Sequence, residues 1–356
     1  MWFVVLSLFA VSALASSTNE RFSQWMKEFH IRFENEEHRQ HVFSNWISND
    51  KYIVEQNAEN RTYTLGHNAL SGLNVEEYRA YLGYYMDLET ETKNKREKID
   101  EIKCLYGCVK SYDASNKLNT VSCVKNCFNE ETSVKESVNW VEKGAVTPVK
   151  DQGQCGSCWS FSTTGALEGA YFVKYGTLKS FSEQELVDCD NLSGGGRDHG
   201  CNGGLMDNAF TWIEKNGGLC SEKDYPYTSG TTKSSGQCDK TCDIVDGSQI
   251  TGFVDVPKNS DDAMMQALSK QPVSIAIQAD QRDFQLYESG IFTGTCGTKL
   301  DHGVLAVGYG EDYYLVKNSW SSSWGDGGYI KLGKGSEYNN GAGQCGMLMQ
   351  GSYPEV

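Results

Sequence analysis

Hydrophobic and polar positions follow different rhythms in different parts of this chain, and each rhythm predicts a different kind of structure. From Trp2 to Leu14 the residues are almost all apolar, and the run ends at Ala13-Leu14-Ala15, a small-residue site that fits cleavage after Ala15. Too short to anchor in a bilayer, residues 1–15 read as a signal peptide. Between residues 20 and 60, Trp25, Phe29, Phe33, Val42, Trp46 and Ile53 recur at helical spacings amid Glu, Arg and His, which predicts helix. A polar stretch rich in Lys and Glu, Asp87 to Lys103, then predicts an exposed helix or linker.

From about Val134 the texture changes: Gly, Ser, Trp and Tyr become dense, as in a loop-rich domain stapled by disulfides. A helix is predicted from near Ser157 to near Gly176, with Phe161, Leu167 and Tyr171 facing inward. A second helix follows Ser182, where a Ser N-cap and Glu185 make a capping box. Strands are predicted at Val273 to Ile277, Gly303 to Val307, Tyr313 to Val316 and Tyr329 to Leu332. Helices first and strands second predict an α+β fold with two lobes.

Composition narrows the function. Apolar residues make up 39% and charged residues 22% of 356, an ordinary globular balance. A net charge of −15 argues against nucleic acid and anionic membrane surfaces as partners, and fits work in an acidic compartment. Cysteine is more telling. In an oxidising compartment most of the 13 should pair, and the odd total leaves at least one thiol free or bridged to another molecule. Cys104, Cys108, Cys123 and Cys127 are spaced so that each close pair shares a helix face, which predicts a helical hairpin clamped by Cys104–Cys127 and Cys108–Cys123. A zinc site is the competing reading; the secretory context favours disulfides.

Candidate chemistry centres on Gln152-Gly153-Gln154-Cys155-Gly156-Ser157-Cys158-Trp159. A thiol at a helix start feels the positive end of the dipole and unpaired N–H groups, which favour the reactive thiolate. Cys155 and Cys158 also have the spacing of a redox pair, but other cysteines downstream can take Cys155. A nucleophile needs a base, and after residue 134 there are only His199, in a Gly-rich loop, and His302, heading an apolar strand. Asn318 can accept the imidazole N–H and fix the ring.

These residues resemble the papain family of cysteine peptidases, in its cathepsin-L-like branch. Gly144-Ala145-Val146-Thr147-Pro148, Gly200-Cys201-Asn202-Gly203-Gly204 and Ser352-Tyr353-Pro354 are also similar to the family, so the resemblance covers residues 134–356. It implies a two-lobed papain-like fold, a helical lobe beside a β-barrel-like one, and a cysteine endopeptidase acting through a thioester, with no metal or cofactor. Cys158 would be the nucleophile, His302 the base, Asn318 its orienting partner and Gln152 an oxyanion donor. Gly204 would pair with the substrate backbone, and Leu205, Met206, Ala276, Leu300 and Gly303 would line the pocket for the second residue before the scissile bond. Gln350 would form that pocket's floor, so bulky hydrophobic residues are expected there in preference to Arg. Trp320, with Trp324, would shield the Asn318–His302 contact. The family pattern places Gly where this chain has Ser321; if that position needs positive φ, Ser costs about 1 kcal/mol.

The same resemblance pairs Cys155 with Cys201, Cys296 with Cys345, and Cys189 with Cys238 or Cys242, leaving the other of those two for Cys220. Residues 16–133 resemble the family's α-helical inhibitory propeptide, through Trp46, Asn49, Ile53, Asn57 and the Gly66-His67-Asn68-Ala69-Leu70-Ser71-Gly72 loop. The implied partners are peptide and protein substrates, the chain's own propeptide and cystatin-type inhibitors, with the protein a monomer in the secretory pathway, bound for lysosome, vacuole or the outside. Asn60 and Asn191 open glycosylation sequons. Rival readings are a non-enzymatic relative, a thiol-disulfide oxidoreductase, and a ligase in which an amine replaces water.

Overall fold

The computed structural model describes residues 18–84 and 136–356. The expected signal peptide and the hairpin carrying Cys104, Cys108, Cys123 and Cys127 lie outside the described residues.

The N-terminal segment forms helix α1 over residues 18–28 and helix α2 over Glu36–Asn57, so the single helical pattern of residues 20–60 is broken in two. At the break His30 adopts φ 53°, and Asn35 restarts the helix by accepting the His38 N–H on its side chain. The turn lets the apolar faces of both helices meet. Phe22 and Trp25 of α1 bury against Val42 and Trp46 of α2, with the Phe22 and Trp46 rings 5.4 Å apart. A short strand β1 (Tyr63–Leu65) and helix α3 (Val75–Arg79) complete this segment.

From residue 136 on, three helices precede most of the sheet: α4 (Cys158–Tyr175), α5 (Glu183–Cys189) and α6 (Met206–Asn216). Ser182 caps α5 by accepting the Glu185 N–H. The reciprocal half of the predicted capping box is not made, because the Glu185 carboxylate instead accepts the Cys220 N–H at 2.7 Å and Asn216 Nδ2 at 3.1 Å.

The sheet is built from β2 (Val138–Asn139), β3 (Gly252–Asp255), β4 (Val273–Ile277), β5 (Tyr287–Phe292), β6 (His302–Tyr309), β7 (Tyr313–Lys317), β8 (Tyr329–Gly333) and β9 (Gly351–Glu355). Its order is β1-β5-β8-β7-β6-β4-β9-β3, with β2 on β6. Every residue of β6 is buried, which explains its near-continuous apolar run. Helix α4 packs on β6 so closely that a Cβ on Gly165 would lie 2.8 Å from Leu305 Cδ2. The α+β, two-lobed architecture is as expected: helices α4–α6 with their disulfides on one side, the sheet on the other. Lys150 ties elements together within the core, donating to Glu168 at 2.9 Å and Glu183 at 2.6 Å. Lys317 at the end of β7 donates to Thr147 Oγ1 at 3.0 Å. None of the described helices is long and apolar enough to cross a membrane.

The N-terminal segment shares this sheet. Strand β1 pairs antiparallel with β5, Tyr63 opposite Gly290 and Leu65 opposite Tyr287.

Candidate active site

Four disulfides fix the loops around the site: Cys155–Cys201, Cys189–Cys238, Cys220–Cys242 and Cys296–Cys345. Among the described residues, Cys158 is the thiol left free. It is the first residue of α4, where N–H groups have no intrahelical partner. Its sulfur accepts the Gly303 N–H at 3.3 Å, and also the N–H groups of Trp159 and Gly83.

His302 opens β6 opposite Ile277 of β4, so two paired strands hold its backbone. Its Nε2 lies 2.8 Å from Asn318 Oδ1, and Trp320 stacks on the ring with centroids 4.6 Å apart. Trp324 meets Trp320 edge-on at 5.2 Å, closing the apolar cover. No sulfur–imidazole hydrogen bond is made in this closed state: Nδ1 of His302 is buried without a partner. The sulfur is instead bound to the N–H of the residue next to that histidine.

Gln152 is held by its oxygen and offers its nitrogen. Oε1 accepts from Ser319 Oγ at 2.7 Å and Trp320 Nε1 at 3.1 Å, which fixes the amide with Nε2 as its donor. Neither Ser319 nor the role of the Trp320 N–H in fixing Gln152 is visible in the sequence; only the tertiary approach of β7 to residue 152 creates them. Nε2 donates to the carbonyls of Cys155 and Tyr81, both at 2.8 Å.

Tyr81 belongs to the N-terminal segment, which crosses the site here. Gly83 contributes its N–H to the sulfur and its C=O to the Gly204 N–H at 3.0 Å. A Cβ on Gly83 would fall 1.9 Å from the Gly156 carbonyl oxygen, so only glycine allows this approach. Tyr84 forms a parallel bridge with Gly204, donates its N–H to the Asp301 carbonyl at 3.1 Å, and its hydroxyl reaches Gln350 Oε1 at 2.8 Å. Around it, the Ala276 N–H donates to the Gln350 carbonyl, Ala276 faces Gly303 across β4–β6, and the Met206 sulfur would sit 3.2 Å from a Cβ on Gly303. Leu205, Met206 and Leu300 are buried. His199, the other histidine of this half, is exposed.

Burial sets the electrostatics. The Cys158 thiol is pushed up to about 11, chiefly by burial and against its three N–H donors. His302 is pushed down to about 4, again by burial, with Asn318 opposing. Burial under the N-terminal segment thus favours the neutral thiol and imidazole over a thiolate and imidazolium. Asp301, beside His302 in the chain, is raised to about 7 by burial.

A family model described as papain family cysteine protease matches residues 134–355, and one described as cathepsin propeptide inhibitor domain (I29) matches residues 22–78. This chain belongs to the papain family. Probable cysteine protease RD21C of Arabidopsis thaliana is 40% identical over 361 residues, covering 99% of this chain and 72% of its own. Cysteine protease XCP2 of Arabidopsis thaliana is 39% identical over 339 residues, covering 94% and 85%. Among solved structures, recombinant stem bromelain precursor superposes with a TM-score of 0.76 at 32% identity, covering 96% of this chain and 99% of its own. The proform of the ragweed pollen allergen Amb a 11 does so with a TM-score of 0.75 at 32% identity, covering 96% and 95%. The protein is accordingly a papain-family cysteine endopeptidase made as a zymogen, with an inhibitory pro-segment ahead of its peptidase domain.

Proposed function

We propose that Cys158 is the nucleophile, His302 its acid–base partner, Asn318 the residue that orients His302, and Gln152 an oxyanion donor. Once the pro-segment leaves, water re-enters the cleft and the proton of Cys158 passes to His302 Nδ1. The thiolate attacks the peptide carbonyl carbon, and the resulting oxyanion accepts from Gln152 Nε2 and the Cys158 N–H, a donor of this kind contributing roughly 3 kcal/mol. His302 gives its proton to the leaving amine. It then takes one from the water that hydrolyses the thioester, returning the thiol.

The observation that carries this reading is the placement of the pro-segment main chain: the Tyr81 carbonyl occupies Gln152 Nε2 while Gly83 caps the sulfur. A segment that inhibits by sitting on a nucleophile and its oxyanion donor marks both. Tyr84, in turn, supports a pocket for bulky hydrophobic residues at the second position before the scissile bond, formed by Leu205, Met206, Ala276, Leu300 and Gly303 and floored by Gln350. A neutral amide there gives Arg no counter-charge.

On this reading residues 1–15 are removed as a signal peptide, residues 16–133 form the pro-segment, and the mature enzyme begins near residue 134, works as a monomer in the secretory pathway and is open to cystatin-type inhibitors. Asn60 is exposed and suits a glycan. Asn191 already spends its side-chain nitrogen on the Asp188 carbonyl at 2.7 Å, which makes it the poorer acceptor. The test is treatment of the matured protein with an epoxide cysteine-protease inhibitor, followed by mass spectrometry. A single adduct on Cys158 with loss of peptidase activity is expected. An unlabelled Cys158, or turnover that survives labelling, refutes the assignment.

A further inference from the structure

Immediately behind the cleft edge lies a pair of acids that the chemistry above does not use. Asp190 and Asp198 are both buried, and their carboxyl groups lie close enough to interact. Two carboxyls can hydrogen-bond each other only with a proton on one of them. Asp198 Oδ1 accepts the Leu205 N–H at 3.0 Å and Asn208 Nδ2 at 3.0 Å, while Asp190 Oδ1 accepts the Arg197 N–H at 3.3 Å. Oδ2 of each is buried with no donor among the described residues, so a shared proton is what gives these atoms a partner.

What rests on the pair is Gly204. A Cβ there would lie 2.7 Å from Asp198 Cγ and 2.6 Å from Trp159 Cδ2, so this residue is sandwiched between the carboxyl and the indole next to Cys158. Its N–H faces the cleft and binds the Gly83 carbonyl, and the next N–H, that of Leu205, is tied to Asp198 itself.

We propose that the proton-sharing Asp190–Asp198 pair is a positioning device that holds the Gly204–Leu205 main chain against the cleft, so that losing the shared proton weakens the grip on a peptide backbone. The proposal rests on the reading of Gly204 as a substrate-pairing residue. Burial is the main force keeping the proton: it raises Asp190 to about 6 and holds Asp198 well above the carboxylate range, with the charge of Asp190 adding to the effect on Asp198. Lys215, on α6, is the cation that acts on Asp190. Arg197 and His199 flank Asp198 in the chain, Asp207 stands near the start of α6, and Asp188, His199 and Lys240 line the open cavity beside Asp198. Doubly ionised, the pair would hold two like charges in a buried space with no proton between them. Asp198 would then swing away, and Leu205 and Gly204 would lose their backing.

The full chain is expressed, matured by removal of the pro-segment, and assayed for kcat and KM on one peptide from acidic to alkaline pH, as wild type, Asp198→Asn and Asp198→Ala. Wild-type KM is expected to climb about tenfold towards alkaline pH, the equivalent of one good hydrogen bond. Asp198→Asn keeps the acceptor for Leu205 and carries a permanent N–H donor towards Asp190, so its KM should stay low and flat with pH. Asp198→Ala should show the raised KM already at acidic pH, with kcat little changed. A pH-flat KM in the wild type, or an Asp198→Asn profile that climbs like the wild type, overturns the proposal. Should Asp198→Ala fail to fold, the contrast between wild type and Asp198→Asn decides by itself. Failure of the underlying reading looks different: if Gly204 does not pair with substrate, Asp198→Ala leaves KM at the wild-type value at every pH while the matured enzyme still turns over peptide.

Discussion

The phenol of Tyr84 donates to the side-chain amide of Gln350 across 2.8 Å, so the pro-segment delivers a polar-tipped aromatic ring to the floor of the proposed specificity pocket. The amide oxygen is a hydrogen-bond acceptor in an otherwise apolar setting.

Matured enzyme should therefore cleave peptides with Tyr at the second position before the scissile bond about fivefold better, in kcat/KM, than the Phe analogue, the effect of one neutral hydrogen bond. Gln350→Leu should erase that difference and leave the Phe peptide nearly untouched. Equal rates for the two peptides on the wild type would refute it.

Asp283 of the peptidase domain accepts from three pro-segment groups: Arg61 Nη1 at 2.8 Å, Tyr63 Oη at 2.5 Å and Tyr52 Oη at 2.5 Å. A half-buried carboxylate with charge-assisted partners is worth about 2 kcal/mol. Asp283→Ala should loosen the pro-segment and shorten the half-life of the zymogen during activation by roughly thirtyfold. Matured Asp283→Ala should match the wild type in kcat/KM.

Acid should destabilise the closed zymogen through His302. Its pKa is depressed from 6.5 to about 4 in the covered site. As pH falls from about 6.5 towards 4, an opened or unfolded chain binds a proton that the closed state refuses, so stability is present above that window and is lost across it. With autolysis blocked by Cys158→Ser, pro-segment dissociation should become easier over this range. Adding His302→Gln should flatten the dependence; an unchanged slope would assign acid sensing to other groups.

Ser321 sits at φ 67° where the family pattern places glycine. Ser321→Gly should stabilise the zymogen by about 0.5–1 kcal/mol in denaturant unfolding, since relief of the left-handed strain exceeds the extra entropy of the unfolded glycine.

Strand β4 was legible to the residue, and β6, β7 and β8 to within a few, because their apolar alternation or continuous burial is written locally. Strand β5 was not: Glu288, Ser289 and Gly290 interrupt its pattern, and it is held by pairing with β1 and β8. Strand β9 carries Pro354 and owes its form to β3 and β4. Helix α6 and the helix Asp261–Lys270 were passed over although their signals are present; Ser260 caps the latter, with Asp261 and Asp262 in its first turn. At the site, the motif around Cys158 is specific enough to single it out, whereas the proposed roles of His302, Asn318 and Gln152 come from their combination and from the family resemblance. Tyr81, Gly83 and Tyr84 do not, because a main chain laid across a cleft needs no particular side-chain pattern beyond one glycine. Asp190 and Asp198 likewise look like loop acids until folding removes water from between them.

The pairing of β1 with β5 has an outcome for the matured enzyme as a material. Cutting away the pro-segment strips one border of the sheet, leaving the amides and carbonyls along Tyr287–Gly290 open to any other extended chain. The carboxylate of Glu288 and the glycine twist at φ 89° in Gly290 are the features that discourage such stickiness. Concentrated mature protein should thus clump more readily than its precursor.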